Sequence, residues 1–406
     1  PVFTEVDSRV PMDATVPATF DDGSTTKTVD GVGTYTVASD GTVTFKPLPT
    51  YVGTPEGVTV KRVDKNGTPA TATYTPTVTP VTPTATPAET SGVQGATQSG
   101  KPVFTEGDSR VPMNDAVPAT FDDGFTSKTV DGIGTYTVAA DGTVTFVPDP
   151  SFTGTAPAVT VVREDKNGTK ASATYTPTVN PVTLTPTNKV SEDIQNVPQT
   201  ETPTFALSDD ETAQITSKKL IDPATGQPTD ETSVTVAGEG TYTIDPTTGA
   251  VTFTPEKDFV GTAKGVTVQA TVTITNEAAK TSTITSDASY TPTVVAAVPT
   301  AQPATSKDIQ GATQIGTPTF AGTTVQVNGQ AKTITIKDNS YTLLDNDGNE
   351  VSTTPAYAAD GTTEIGTYSI DPATGQVTFT PTDKSYTGQV TPVKVQAESS
   401  NGIKVD

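Results

Sequence analysis

The sequence predicts an all-β protein, an elongated tandem array of about four antiparallel β-sandwich domains joined by Pro/Thr-rich linkers. Three observations lead to this prediction. One hairpin is written four times, as GTYTVASDGTVTFKP, GTYTVAADGTVTFVP, GTYTIDPTTGAVTFTP and GTYSIDPATGQVTFTP. Larger side chains alternate with threonine along its strands, which is the period of two of a half-buried β-strand. The chain also contains 34 prolines and 33 glycines, which supply the turns between many short strands.

The four copies have the size of small domains. PVFTEVDSRVPM at residue 1 returns as PVFTEGDSRVPM at residue 102, and PTF at residues 203 and 318 opens the third and fourth copies. A spacing of roughly 100 residues is too long for a solenoid turn and suits a domain with its own small core. We predict repeats at 1–82, 92–184, 193–299 and 308–406, the first without its opening segment and the fourth without its last strand.

The recurring hairpin comes first within each repeat. In the first copy Tyr35 and Val37 alternate with threonines on one strand, and Val43 and Phe45 do so on the next. Asp40-Gly41 joins the two strands in this copy, and glycine supplies the positive φ that such a turn needs. Each strand is therefore predicted to have one apolar face and one threonine face.

A second hairpin closes the repeat. In the first copy it is GVTVKRVDKNGTPATATYTPTV at 57–78, and its Asn66-Gly67 pair is a strong hairpin signal. The apolar faces of both hairpins form the predicted core, to which Val58 and Val60 also contribute. Few large residues are available, so each core is predicted to be thin. The predicted core aromatics are Tyr35, Phe45, Tyr74, Tyr136, Phe146, Tyr175, Tyr242, Phe253, Tyr290, Tyr368 and Phe379.

Between the copies the composition changes to proline and threonine. TPTVTPVTPTATPAETSG at 75–92 is the clearest example, and closely spaced prolines favour an extended, polyproline-like connector. A glutamine pair follows each connector, in VQGATQSGKP, IQNVPQTETP and IQGATQIGTP. We interpret the pair as the start of the next repeat, packed near its first strand. A ligand-binding role for Gln94 and Gln98 is the alternative.

Charge and missing residue types exclude several functions. The formal charge is −22, so the chain repels nucleic acid and anionic lipid, and it also stays soluble. With no Cys and no His, the chain has no disulfide, no thiolate nucleophile and no Ser-His-Asp triad, and with no Trp it lacks the commonest stacking platform. No segment has the roughly 20 apolar residues of a membrane span. The first residues, PVFTEVDSRV, show no initiator Met and no export signal, as expected for part of a longer protein.

The motif order resembles that of a known family. The series VTFTP, FxGT, GVTV, DxNGT and ATYTPTV, with GATQxGTPTF between units, is similar to the repeats of CshA-type fibrillar adhesins of streptococci and other Gram-positive bacteria. The resemblance covers nearly the whole chain. It implies tandem β domains in a fibril anchored to the cell wall, with adhesion attributed to a non-repetitive region nearer the N-terminus. Neither that region nor a sortase-type tail is recognisable in these residues.

The fourth copy departs from the others in two places. The stretch before its Gly-Thr-Tyr strand runs from Phe320 to Gly366 and is longer than the corresponding stretch in the first copy, from Phe3 to Gly33. Its last residues, NGIKVD, contain no Tyr-Thr-Pro-Thr-Val strand. We therefore expect an unpaired sheet edge in this copy and the lowest stability of the four.

Candidates for chemistry are few. Asp21-Asp22, Asp122-Asp123 and Asp209-Asp210-Glu211 are adjacent acids in turns, where carboxylates usually bind the backbone, so no catalytic residues and no enzyme activity are predicted. DNDGNE at 345–350 offers Asp345, Asp347 and Glu350 as a candidate metal site. Because the EF-hand spacing is not met, a plain turn is the preferred interpretation, and no cofactor is predicted.

The function predicted from these observations is structural. We expect a stalk or fibril segment of a bacterial surface adhesin, a monomeric rod that is extracellular and anchored to the cell wall through a region outside this sequence. The alternative is an adhesive segment that binds a host glycoprotein or glycan through loops at the ends of the repeats, since variable loops on a rigid scaffold often carry recognition. Host surface or matrix proteins are the expected partners of other parts of the full-length protein.

Overall fold

The computed structural model describes residues 1–209 and 211–406, and every regular element within them is a β-strand. The chain divides into two compact units, Pro1–Val182 with Ile274–Ser282, and Thr183–Thr273 with Thr283–Asp406. The first unit holds repeats 1 and 2 and a hairpin tip from repeat 3. The second unit holds the rest of repeat 3 and repeat 4. Over the described residues there is no helix with the length and apolar character of a membrane span.

Repeat 1 consists of two three-stranded sheets. The recurring hairpin β3–β4 pairs Tyr35 with Phe45 and is flanked by β2, whereas the second hairpin β5–β6 pairs Val58 with Tyr74 and is flanked by β1. The apolar faces of both sheets form one core. The strands are β1 (Thr19–Phe20), β2 (Thr26–Val29), β3 (Gly33–Val37), β4 (Val43–Pro47), β5 (Val58–Val63) and β6 (Pro69–Tyr74).

Repeat 2 has the same plan with more strands. Its strands are β7 (Thr84–Thr86), β8 (Ala88–Val93), β9 (Gln98–Gly100), β10 (Val103–Thr105), β11 (Thr120–Phe121), β12 (Ser127–Val130), β13 (Gly134–Val138), β14 (Val144–Pro148), β15 (Gly154–Thr155), β16 (Val159–Glu164) and β17 (Lys170–Asn180). One sheet has the order β12-β13-β14-β9. The other has the order β11-β16-β17-β15, with β8 beside β17.

The strands β7 and β8 change the interpretation of the Pro/Thr-rich segment before repeat 2. β7 pairs with β10, and β8 pairs with β17 in parallel from Tyr175↔Ala88 to Asn180↔Val93. Residues 84–93 are therefore strands of repeat 2, and this part of the segment is not the free connector that its composition predicts. Threonines between the prolines keep enough N–H groups for pairing, and the composition alone cannot show a distant partner strand.

Repeat 3 repeats this arrangement with longer strands. The order β20-β26-β25-β24 forms one sheet and β19-β29-β28-β22-β23 the other, with β19 parallel to β29. The strands are β18 (Leu184–Thr187), β19 (Lys189–Ile194), β20 (Gln199–Glu201), β21 (Thr204–Leu207), β22 (Ala213–Asp222), β23 (Gln227–Pro228), β24 (Ser233–Val236), β25 (Gly240–Ile244), β26 (Val251–Pro255), β27 (Gly261–Thr262), β28 (Val266–Thr275) and β29 (Thr281–Val295).

Repeat 4 keeps the first sheet and has a smaller second one. The first sheet is β31-β39-β38-β37 and the second is β36-β35-β40-β41. The strands are β30 (Thr300–Gln302), β31 (Gln314–Gly316), β32 (Thr319–Ala321), β33 (Thr324–Val327), β34 (Gln330–Thr333), β35 (Thr342–Leu344), β36 (Glu350–Val351), β37 (Thr353–Tyr357), β38 (Glu364–Ile370), β39 (Val377–Pro381), β40 (Lys394–Glu398) and β41 (Lys404–Val405).

The long stretch before the Gly-Thr-Tyr strand of repeat 4 contains the hairpin β33–β34. Val327 and Ile334 from this region are buried together with Ile194 and Ala297 of repeat 3, all within the second unit. Asn401 Nδ2 donates to the carbonyl oxygen of Ala297 at 2.9 Å. The extra residues therefore bury apolar surface against the preceding repeat.

The recurring hairpin needs its first glycine for steric reasons. Gly134 has φ +151°, and a Cβ at this position would lie 2.5 Å from the Val147 carbonyl oxygen and 2.7 Å from a ring carbon of Phe146. The close approach lets the Tyr136 and Phe146 rings pack with centroids 4.5 Å apart. Repeats 1 and 3 share this geometry, with φ +154° at Gly33 and Gly240. The Gly-Thr-Tyr sequence thus places a glycine under a paired aromatic ring.

The predicted core aromatics lie in the sandwich interiors to different degrees. Phe45, Tyr74 and Tyr368 are half-buried and pack against the buried clusters. Phe379 is 9% exposed. The fully buried ones are Tyr35, Tyr136, Phe146, Tyr175, Tyr242, Phe253 and Tyr290. Sequence reasoning missed Phe20 and Phe121, which are also buried, because each precedes an acidic turn and lies on a strand of only two residues.

Candidate functional site

The adjacent acids at residues 21–22 and 122–123 belong to turns. Asp22 Oδ1 accepts hydrogen bonds from the backbone N and the hydroxyl of Ser24, at 2.9 and 2.6 Å. Asp21 lies 3.7 Å from Lys27 Nζ. The Ser24 hydrogen bonds lower the pKa of Asp22 below its ordinary value, whereas a general acid needs a raised pKa. These carboxylates hold the turn instead of facing each other across a cleft.

Aspartates form turns in the same way in all four repeats. Asp40, Asp141, Asp245 and Asp371 each accept a hydrogen bond from the backbone N two residues later, in the turn of the recurring hairpin. Asp209 does the same for Glu211, while Asp210 lies outside the described residues. Much of the acidity of the chain therefore serves its many turns.

The candidate metal site at residues 345–350 is also a turn. Asp345 Oδ1 accepts hydrogen bonds from the backbone N atoms of Asp347 and Asn349, at 2.9 and 2.8 Å, and those from Asn349 contribute most to lowering the pKa of Asp345. Glu350 forms an ion pair with Lys404. Across residues 1–209 and 211–406, no three acidic side chains lie together as metal ligands. The three candidate ligands therefore have separate partners.

The glutamine pair of repeat 2 joins the two sheets of the sandwich. Gln98 lies on β9, in one sheet, and is 6% exposed. Its Oε1 accepts from the Thr90 hydroxyl of β8 at 2.6 Å, and its Nε2 donates to the Thr178 carbonyl oxygen of β17 at 2.9 Å. The Thr90 hydroxyl also lies 2.7 Å from the hydroxyl of Tyr175. We call the side chains of Thr90, Gln98 and Tyr175 the closing triad of repeat 2.

Repeat 3 has the same triad with serine in place of threonine. The Ser191 hydroxyl donates to Gln199 Oε1 and lies 2.7 Å from the Tyr290 hydroxyl, and Gln199 Nε2 donates to the Thr293 carbonyl oxygen at 2.9 Å. In repeat 4 the Ser306 hydroxyl donates to Gln314 Oε1 at 2.9 Å. The triad is thus complete in repeats 2 and 3 and two-thirds formed in repeat 4.

The first glutamine of each pair is a second tie. Gln94 Nε2 donates to the Pro150 carbonyl oxygen at 2.8 Å, and Gln310 Nε2 donates to the Ser385 carbonyl oxygen at 2.7 Å. In the first unit, the Ser282 hydroxyl donates to the same Pro150 oxygen, and Asn276 Nδ2 donates to Pro148 O. These amides bind backbone oxygens inside the protein, which gives the glutamine pairs a structural role.

Comparison with known families is decisive at this point. The family described as surface adhesin CshA repetitive domain matches residues 1–78, 80–179, 181–294 and 296–406. The chain belongs to the CshA repeat family. The second match begins at residue 80 and so includes β7 and β8. No curated protein sequence matches the chain.

Solved structures agree with this assignment at the level of sequence. The NMR structure of repeat domain 13 of the fibrillar adhesin CshA from Streptococcus gordonii is 64% identical, over 17% of this chain and 90% of that one, with a TM-score of 0.12. A mouse cadherin-23 fragment is 13% identical, over 69% of this chain and 86% of that one, with a TM-score of 0.27. A four-domain fragment of Drosophila N-cadherin is 12% identical, over 98% and 90%, with a TM-score of 0.21.

Membership in the CshA repeat family accounts for the recurring features of the chain. The motifs on which the resemblance rests correspond to the glycine-backed hairpin, the Asn-Gly hairpin and the glutamine of the closing triad. All of these residues act on the backbone or the core of their own repeat.

Proposed function

We propose that this chain is a structural stalk segment of a bacterial surface adhesin, which holds an adhesive region away from the cell wall. The observation that carries the proposal is the use of polar side chains in the repeats. The carboxylates of the turns and the buried glutamines bind the backbone of the protein, so the repeated motifs specify the fold and leave no shared set of groups for a ligand.

The proposal places the protein outside the cell, on the bacterial surface, with wall anchoring through a region other than these 406 residues. The chain would act without catalysis and as a monomer, and host surface or matrix proteins would be bound by other regions. A formal charge of −22 supports a monomeric, soluble segment because like-charged chains repel one another.

The test is small-angle X-ray scattering on residues 1–406, with a two-repeat fragment for comparison. A stalk gives a maximum dimension that grows in proportion to the number of repeats. A compact particle, with a maximum dimension near that of a globular protein of this mass, contradicts the proposal.

An adhesive role is the second candidate, and one exposed aromatic favours it. Phe125 follows the Phe-Asp-Asp-Gly turn of repeat 2 and is 69% exposed, whereas repeat 1 has Ser24 at the same place. Exposed aromatics on loops are common anchors of binding surfaces. Immobilised host glycoproteins should then bind the chain saturably, and Phe125→Ser should abolish the binding. Absence of binding by the unaltered chain would leave only the stalk function.

A further inference from the structure

Repeat 4 contains an open groove where repeats 2 and 3 contain their last strand. In repeat 2, β17 lies between β16 and the parallel strand β8. In repeat 4, the residues that correspond to β8, around Ser306, form no strand, and a groove of about 980 Å³ separates them from β40. The floor of the groove is apolar and includes Ile365, Tyr368, Val377, Phe379, Val393 and Val395.

The register shows which residues of repeat 2 correspond to the empty space. β41 pairs with β40 as Ala397↔Val405 and Glu398↔Lys404. In repeat 2 the matching pairs are Arg163↔Ala171 and Glu164↔Lys170. The position of Lys404-Val405 is thus that of Lys170-Ala171, at the start of β17. The groove corresponds to the rest of that strand, and Ala173–Val182, ATYTPTVNPV, is the segment that would fill it.

Polar groups at the groove are already oriented as in the filled repeats. Ser306 and Gln314 are hydrogen-bonded to each other as Thr90 and Gln98 are in repeat 2. In repeat 2 the two further partners come from β17, namely the Tyr175 hydroxyl and the Thr178 carbonyl oxygen. An incoming strand therefore meets an oriented hydroxyl and amide and does not have to order them.

A glycine leaves room for the incoming tyrosine. In repeat 2 a Cβ on Gly100 would lie 2.4 Å from a ring carbon of Tyr175. Gly316 holds the same position in repeat 4, and there a Cβ would meet only the Ala304 Cβ, at 3.7 Å. Repeat 3 has Glu201 at this place, so repeat 2 is the template for the occupant of the groove. The space beside Gly316 has the position of the tyrosine ring.

We propose that this groove is a strand-acceptor site, whose occupant is a separate extended peptide with the Tyr-Thr-Pro-Thr-Val pattern of β17. The peptide pairs antiparallel with β40 and parallel with the segment around Ser306. Its tyrosine lies against Gly316 with the hydroxyl at Ser306, and its valine covers the apolar floor. Main-chain pairing supplies affinity, and the alternating side chains supply selectivity.

The test uses the full 406-residue protein and a fluorescein-labelled peptide of sequence ATYTPTVNPV, followed by fluorescence anisotropy. We expect saturable one-to-one binding. A peptide with Tyr175→Ala should bind at least about tenfold more weakly, because it loses a buried ring and a hydrogen bond. Peptide binding should also slow amide exchange in residues 304–310 and in β40.

Gly316→Val is the blocking variant, because its side chain occupies the place of the tyrosine ring without meeting any other group. Ile315→Val is the matched control, since Ile315 is 54% exposed on the opposite face of β31. Gly316→Val should remove binding and Ile315→Val should retain it. If Gly316→Val fails to fold, the comparison of the two peptides carries the test alone.

Absence of saturable binding would overturn the proposal, as would equal binding of the two peptides. Equal affinity of the Gly316→Val and Ile315→Val proteins would also overturn it. A protein that self-associates in sedimentation equilibrium, with β40 protected from exchange before any peptide is added, would show that a second copy occupies the groove and would likewise refute a peptide occupant.

Discussion

Replacement of Gln98 by alanine tests whether the closing triad holds the two sheets of a repeat together. The Gln98 side chain is buried and makes two hydrogen bonds, to the Thr90 hydroxyl at 2.6 Å and to the Thr178 carbonyl oxygen at 2.9 Å. A neutral hydrogen bond contributes about 0.5–1.5 kcal/mol, and a buried partner left without one costs about 1–3 kcal/mol. Gln98→Ala should therefore destabilise repeat 2 by about 2–4 kcal/mol.

Gln314→Ala is the matched control in repeat 4. Gln314 is half-buried, and its oxygen accepts one hydrogen bond, from Ser306 at 2.9 Å. The partner strand that would receive the Gln314 amide is not among the described residues, so less interaction is lost. We expect a cost of about 0.5–1 kcal/mol for this substitution.

Hydrogen–deuterium exchange with mass spectrometry on the full chain measures both effects locally. A loss of about 2–4 kcal/mol corresponds to opening that is about 30 to 1,000 times more frequent, so exchange in β17 should accelerate by that factor in Gln98→Ala. Exchange in β40 should accelerate by less than about fivefold in Gln314→Ala. Equal acceleration in the two variants, or less than about threefold in β17, would refute the closing role of the triad.

Three further predictions concern the core and the turns of repeat 2. Gly134→Ala should cost more than about 2 kcal/mol because its Cβ meets the Val147 carbonyl at 2.5 Å, whereas Gly132→Ala, with open space at φ +68°, should cost about 1 kcal/mol; comparable losses in urea unfolding would contradict the steric argument. Phe146→Ala, at a fully buried ring, should cost about 3–5 kcal/mol and Phe125→Ala, at an exposed one, less than about 0.5 kcal/mol; the midpoints of thermal unfolding compare them. Burial raises the pKa of Tyr136 to about 12 from 10.0, so its neutral form contributes stability below pH 10 that is lost as the pH rises from 10 to 12. Tyr136→Phe should therefore weaken the alkaline decline of the melting temperature, and an unchanged decline would exclude this contribution.

The sequence predicts those parts of the fold that depend on neighbouring residues. Tyr35 and Phe45 alternate with threonines, and Asp40-Gly41 joins their strands, so the recurring hairpin follows from local pattern and turn chemistry. The pairing of β8 with β17 joins residues far apart in the chain, and no local pattern specifies it. The prolines of that segment favour a free connector when the partner strand is not known.

Polar residues in the interior were the least predictable part of the candidate site. Gln98 is a polar residue in a Gly- and Thr-rich segment, where solvent exposure is the usual outcome. Its burial depends on Thr90 and on the Thr178 carbonyl, which meet only after both sheets have formed. The repeated spacing of the glutamine pair in three copies was the available sign of this structural role.

The parallel register of β8 and β17 has a mechanical consequence. A pull on the chain before Ala88 and after Asn180 drags these two neighbouring strands in opposite directions along their length. The hydrogen bonds between them, from the Ala88–Tyr175 pair to the Val93–Asn180 pair, are then loaded in shear and must fail together, whereas bonds peeled from one end fail one after another. The same geometry recurs between β19 and β29, so repeats 2 and 3 each present a clamp across the path of an applied force.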